Sequence, residues 1–273
     1  MAMKEFTPGE KIRAADFNDN FDETQKAENI TSGTLDVARV PDLDASKITT
    51  GVIGENRLPP SFPTYVGSRY FTSSGTFDRL DAFGDGSNIE AKAVKVRLVG
   101  GGGGACGITA NQSGRGGGGG GYAERFISPF SENSTAVTVG ARGNGGANTP
   151  VNGDAGGTSS FGSFASATGG AGGRTNRETL GAAGGSGTAP GGIVFDGNPG
   201  MGDGASSTGG AGGSSHLGGG GRAWNSRDRC QNRQGADASG FGGGGGGGIR
   251  VCSGNGTRGG HGRAGLVIVD VYA

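Results

Sequence analysis

The sequence predicts a mainly β and irregular chain with three parts. These are an N-terminal helix, a short trimeric β-repeat stalk, and a C-terminal small β-sheet or sandwich carrying packed polyglycine-II-type helices. Three observations lead there. Of 66 glycines, only those at positions 9, 33, 51, 54, 67 and 75 precede Gly84. A repeat with a period of 18 residues runs through positions 30–59. Segments of strand character stand on both sides of the glycine-rich region. The predicted boundaries are 1–29 for the helix region, 30–63 for the stalk and 64–273 for the head.

Residues 1–29 open on Phe6, Thr7, Pro8 and Gly9, a turn-rich lead. Ile12, Phe17 and Phe21 follow as isolated apolar points, and the last two are four apart on one helical face. A helix this short is marginal alone in water, so its stripe needs a partner.

Residues 30–59 repeat themselves. Ile30-Thr-Ser-Gly-Thr-Leu35 through Arg39-Val-Pro41 aligns with Ile48-Thr-Thr-Gly-Val-Ile53 through Arg57-Leu-Pro59. Each copy reads as a short strand, a turn and a proline stop. One copy cannot bury Ile30 and Leu35, or Ile48 and Ile53, by itself. Three chains around an axis can, which makes a homotrimer the expected assembly. Pro59, Pro60 and Pro63 then form a stiff joint.

The repeat unit resembles that of tail fibres and tail-associated proteins of tailed bacteriophages. The opening Gly9-Glu-Lys-Ile-Arg-Ala-Ala-Asp-Phe-Asn-Asp-Asn-Phe21 resembles the virion-attachment start of such proteins. This resemblance implies docking on a phage baseplate or tail protein through the N-terminus. It also implies a place in the virion tail after assembly in the host cytoplasm.

Residues 64–99 read as β. Tyr70-Phe71-Thr72 and Gly75-Thr76-Phe77 flank a turn. Val94, Val96 and Leu98 alternate with Lys95 and Arg97, giving one apolar face and one charged face. Thr135–Val139 and Gly265–Tyr272 share this character, and the second is nearly continuous in apolar residues. Strands bracketing the glycine region bring its two ends together.

Between them, eight glycine tracts carry bulky residues at intervals, which a linker has no use for. Collagen is excluded, because the tracts break the Gly-X-Y register and prolines total nine. Extended threefold helices packed side by side remain. They have no internal hydrogen bonds, so each peptide group bonds to a neighbour, and glycine permits the close approach. The tracts could bundle within one chain or across three. Their pattern resembles the receptor-binding adhesins of some T-even-type phages, where such a bundle displays host-binding loops. The resemblance implies a bacterial surface receptor, an outer-membrane protein or a glycan. Those adhesins are separate tip proteins, whereas this chain has its own attachment-like start, so no binding residues are carried over.

Candidate binding residues come from the inserts. Residues 222–234 hold Arg222, Trp224, Arg227, Arg229 and Arg233, with the sole tryptophan of the chain. An indole can stack on a sugar or apolar surface while arginines reach phosphates or carboxylates. Arg174 and Arg177, residues 193–198 with Phe195, and residues 107–115 are the other candidate loops.

Composition narrows the alternatives. Formal net charge is zero, and all thirteen cationic side chains after Lys95 are arginine. Against nine acidic residues in the same stretch, they leave a surplus of four positive charges, too thin for a nucleic-acid stripe. Two isolated histidines and three scattered cysteines argue against a metal site or cofactor. Cys230 and Cys252 could pair, but thiols suit a reducing cytoplasm better. Acidic residues after position 96 are unclustered and no nucleophile–base signature occurs, so no enzyme activity is expected. No apolar run is long enough for membrane insertion. A structural or ice-binding polyglycine-II protein is the alternative class.

Overall fold

The computed structural model describes residues 8, 9, 11, 63–109, 112–175, 181–202, 208–225, 232–250 and 255–273. The chain divides into two units, Met1–Pro59 and Pro60–Ala273. In the first, Pro8 and Gly9 form a turn, with Gly9 at φ 92°. The N-terminal helix with Ile12, Phe17 and Phe21, and the repeat with Ile30, Leu35, Ile48 and Ile53, lie outside the described residues.

The second unit is mainly β, and among the described residues it contains no α-helix. Strands β1 (Tyr65–Phe71), β3 (Ala93–Val99), β5 (Tyr122–Ile127), β10 (Ile193–Phe195) and β12 (Leu266–Tyr272) form one antiparallel sheet in the order β1-β12-β3-β5-β10. Strands β2 (Gly75–Asp78), β6 (Ser134–Thr138), β7 (Ser159–Phe161), β8 (Ala165–Ala167) and β9 (Gly187–Thr188) form a second, in the order β2-β6-β7-β8-β9. A two-stranded ladder joins β4 (Gln112–Ser113) to β11 (Ile249–Arg250).

The alternation seen in β3 puts Val94, Val96 and Leu98 inside, against Val267, Val269 and Val271 of β12. Across the gap stand Phe77, Val137 and Phe161 of the second sheet. Phe77 is fully buried, with its ring edge-on to Phe130 and Phe161 at 5.8 and 5.6 Å. This is the only extensive apolar core of the described residues, and it sits between the two sheets. The segments around residues 70–77 go to different sheets: β1 pairs with β12, and β2 with β6. The ends of the glycine region do meet, because β3 and β12 pair from Ala93↔Tyr272 to Val99↔Leu266.

Most strands run straight into the glycine region, and there the bonding pattern changes. From Gly100 onward, successive N–H groups turn to three different neighbours. Gly100, Gly103 and Cys106 donate to the carbonyls of Gly121, Gly118 and Arg115. Gly101, Gly104 and Gly107 donate to Gly157, Asp154 and Val151. Gly102, Ala105 and Ile108 donate to Arg263, Gly260 and Thr257. A partner that recurs every third residue is the signature of a threefold extended helix. Partner numbers fall as donor numbers rise, so these three neighbours are antiparallel. In return, Gly170 and Gly173 donate to Gly101 and Gly104, Gly143 and Gly146 to Gly102 and Ala105, and Gly245 to Gly103. Segment 100–108 is thus enclosed by six others, a hexagonal polyglycine-II-type packing whose bonds all lie within one chain.

Segments 114–121 and 242–248 are enclosed in the same way. Gly114, Gly117 and Gly120 donate to Gly248, Gly245 and Gly242 at 2.7–2.9 Å. The three interior segments close on each other: Gly103 bonds to Gly118, Gly117 to Gly245, and Gly245 to Gly103. Their glycine runs are buried at every position. The reason is steric. A Cβ on Gly102 would lie 1.9 Å from the carbonyl oxygen of Gly243.

Outer segments need glycine only where they face inward. In 140–147, Gly140, Gly143 and Gly146 are buried while Ala141, Asn144 and Ala147 are exposed. In 181–186, Ala183 and Ser186 are exposed and Ala182 and Gly185 buried.

Candidate functional site

Strands and threefold segments alternate in direction, so the chain turns back at two opposite ends of the bundle. One end carries the sheets. At the other, which we call the tip, lie the connection 147–152 and the described segment ends at residues 109, 112, 175, 181, 202, 208, 225, 232, 250 and 255. Main-chain bonds tie these segment ends together. Ile108 and Thr257 exchange N–H···O bonds at 3.0 Å, and Arg233 and Ile249 do so at 2.9 Å. Gly107 donates to Val151, Gly114 to Gly248, and Gly209 to Trp224. Thr175 N–H bonds to the Asn152 side-chain oxygen at 2.9 Å. The described ends of the inserts 107–115, 174–180 and 222–234 therefore lie at one end of the bundle.

Within the last insert, Trp224 is half-buried beside the exposed Arg222 and Arg233. The Arg222 guanidinium lies 4.2 Å from the ring centroid and that of Arg233 lies 5.1 Å from it. Both are within cation–π range. The indole Nε1 is buried and takes no hydrogen bond among the described residues. Segment 218–224 brings Arg222 and Trp224 to the tip, and the bridge to Ile249 holds Arg233 beside them. Arg177, Arg227, Arg229, Cys230 and Cys252 lie outside the described residues.

The other candidates are placed elsewhere. Arg174 is exposed at the end of segment 168–174, next to Thr175. None of its described contacts joins it to Trp224. Residues 193–198 are not a tip loop. Ile193, Val194 and Phe195 form β10, an edge strand of the first sheet, because Phe195 pairs with Tyr122 in register. The Phe195 ring stacks on His216 at 4.9 Å with an 11° interplanar angle, and Tyr122 packs on His216 at 4.3 Å. Phe195 is thus part of a sheet-edge aromatic cluster.

Two polar groupings escaped the sequence reading. Asp237 accepts the His261 N–H at 2.8 Å and faces the Arg258 guanidinium at 3.3 Å, while Gly145 N–H donates to His261 Nδ1 at 3.0 Å. His261 clasps three segments and does not stand alone. Burial lowers its pKa, the nearby Asp237 opposes this, and Arg258 and Arg142 add to the lowering. Burial acts against ionisation of Asp237, but the His261 N–H and Arg258 outweigh it and hold its pKa below the ordinary value.

The second grouping crosses the outer face of the first sheet. Arg97 pairs with Asp270 at 2.9 Å, Ser68 Oγ donates to the same carboxylate at 2.5 Å, and Lys95 pairs with Glu124 at 2.7 Å. Burial and the bond from its hydroxyl to Glu124 raise the Tyr122 pKa. Partners separated by 116 or 173 residues leave no local signal in a sequence.

Cys106 is buried, and its Sγ accepts the Arg115 N–H at 3.1 Å. Among the described residues, no group of three or more His, Cys, Asp or Glu side chains is placed to hold a metal ion. Nor is any helix among them long and apolar enough to cross a membrane.

None of the curated proteins matches the sequence. A family model described as "Glycine-rich domain" matches residues 85–272. That span runs from the turn before β3 to the end of β12, taking in the whole threefold bundle, and on this match the chain belongs to the glycine-rich domain family.

Proposed function

We propose that the chain is a bacteriophage tail fibre or adhesin that binds the bacterial host surface through the loops at the tip. In this reading, residues 1–29 dock on a baseplate or tail protein, residues 30–63 hold a homotrimer, and the head engages an outer-membrane protein or glycan. The supporting observation is the gathering of the connection 147–152 and of the described segment ends beside the other inserts at one end of a main-chain hydrogen-bonded lattice. Loops carried on a rigid scaffold are where binding usually resides. The virion-like repeat and N-terminal start support the same reading.

The test is adsorption. Residues 225–232 are replaced by a Gly/Ser segment of equal length, alone and with Trp224→Ala. Binding of the purified chain to candidate host cells should fall at least about tenfold, while sedimentation and thermal unfolding stay unchanged. Normal adsorption by both variants would remove this part of the tip from the binding surface.

One observation favours a second reading, a structural or ice-binding protein. Adjacent outer segments carry small side chains side by side at every third residue, as with Thr168 bonded to Ser186. A thermal-hysteresis measurement separates the two, since an adhesin gives none.

A further inference from the structure

Strands β3 and β12 run from the glycine segments, at Val99 and Leu266, to a far end at Ala93 and Tyr272. That far end of the first sheet carries a continuous aromatic patch. Tyr65 is 59% exposed, Val66 43% and Phe126 54%. Tyr272 lies between them, its ring edge-on to Tyr65 at 5.7 Å and to Phe126 at 5.5 Å. Single exposed rings are ordinary, but these adjoin across β1, β12 and β5. Tyrosine and phenylalanine are also enriched where proteins meet.

The backbone of β1 is shaped to present this patch. Its register against β12 shifts between Tyr65 and Gly67. Without that bulge Tyr65, three residues before Ser68, would face the core; the extra residue returns it to the outer face beside Tyr272. There the Tyr65 hydroxyl lies 2.9 Å from Ser68 Oγ, which itself donates to Asp270. The ring is exposed yet fixed, and a fixed side chain loses little entropy on docking. The edge of β1 is guarded against strand addition by the bulge and by Arg69. Arg69 stands opposite the buried Val269, points inward and donates to the Ala82 carbonyl at 3.2 Å. What β1 offers a partner is therefore its face.

Charge and chain entry select the partner. The ionic groups beside the patch are matched among themselves, Lys95 with Glu124 and Arg97 with Asp270. Two cations and two anions give no excess to draw a polyanion or an anionic membrane. A copy of the same face meets it without net repulsion. Thr64 and Ala273 exchange N–H···O bonds at 3.0 and 3.1 Å, so the chain enters β1 at a fixed point, one residue before Tyr65. In the homotrimer proposed for residues 30–63, three such patches start from neighbouring points. A patch of four side chains is too small to hold free copies together. A tether of this kind raises the effective concentration to about the millimolar range, where a small contact suffices.

We infer that Tyr65, Val66, Phe126 and Tyr272 form a contact between the heads of neighbouring copies. The inference rests on the trimer reading of residues 30–63. The contact joins the heads at the end opposite the tip and leaves the tip of each copy free.

The test is photocrosslinking of the full chain. p-Benzoylphenylalanine is placed at position 126 and, in a separate sample, at position 151, because Val151 is 48% exposed at the tip. Sedimentation velocity defines the assembly in each sample before irradiation. Position 126 should give covalent dimers and trimers on a denaturing gel, and position 151 should not. Tyr65→Glu should lower the yield from position 126 at least about fivefold, with sedimentation and thermal unfolding unchanged.

A trimer that gives no crosslink from position 126, as much from position 151, or full yield in Tyr65→Glu overturns the contact and leaves the trimer reading in place. A dimer that crosslinks from position 126 keeps the contact and removes the trimer reading. A monomer removes both.

Discussion

The carbonyl oxygen of Gly103 stands 2.1 Å from the point where a Cβ would project from Gly117. Both residues belong to interior segments, so neither backbone can retreat without breaking bonds to its other neighbours. Gly117→Ala should destabilise the head by more than about 3 kcal/mol, or prevent folding. Gly219 is the control. Its Cβ would meet only the Ser239 Oγ, at 3.7 Å. Gly219→Ala should change stability by less than about 1 kcal/mol, and restricting the unfolded chain pushes that change toward stabilisation. Chemical denaturation of both variants checks the contrast; equal loss would mean that the lattice relaxes around a methyl group.

Phe77 closes the core between the sheets. Phe77→Ala should cost about 3–5 kcal/mol, because the cavity would lie against Phe130 and Phe161, which are fixed by their own packing. Phe77→Leu should recover most of it. Midpoints of thermal unfolding decide the order, and a loss no larger for alanine than for leucine would place little weight on this ring.

Asp270 holds Arg97 and Ser68 on the outer sheet face, with its side chain 11% exposed against 33% for Arg97. Water reaches Arg97 and softens the loss of its partner. Asp270→Ala should therefore cost about 1–2 kcal/mol and not the larger penalty of a sealed ion pair. A double-mutant cycle with Ser68→Ala should show coupling, and strict additivity would mean that the short bond contributes nothing.

His261 makes the head sensitive to acid. Its folded pKa lies below the ordinary value of 6.5, mainly through burial, and Nδ1 must be unprotonated to accept the Gly145 N–H. The unfolded chain therefore takes up the proton first. The contribution of His261 is complete above about pH 6.5 and is lost as pH falls through that value toward the folded pKa. His261→Gln should flatten the slope of stability between pH 7.5 and 5.5. Identical slopes for wild type and variant would sink this assignment.

What could be read from the sequence followed from short-range chemistry. The alternation of Val94, Val96 and Leu98 gives the face of β3, and the nearly continuous apolar run Leu266–Val271, broken by Asp270, marks a strand between two others. Long glycine runs marked the interior segments because every face of those segments touches backbone. Segments 140–147, 151–157, 197–201 and 233–238 leave no such mark, for the converse reason. One inward face needs one small residue in three, as with Gly197 and Gly200, and such spacing does not stand out among 66 glycines. Strand β10 reads as a loop in the sequence, because three apolar residues between Gly192 and Gly197 carry no period. At the tip, the clustering of arginine around Trp224 was legible. That the arginines cover the ring was not, since Arg233 arrives from a different segment.

The bonds that hold segments 168–174 and 181–186 to their neighbours are made almost wholly by peptide groups. Peptide groups are the same in every residue, so the lattice keeps no record of what lies between two segments. A connection such as 175–181 can be lengthened, shortened or replaced, provided that the returning chain re-enters in phase with the threefold repeat. The bundle is therefore built for exchange of cassettes, since the segment between two threefold helices can be replaced without any compensating change beneath it.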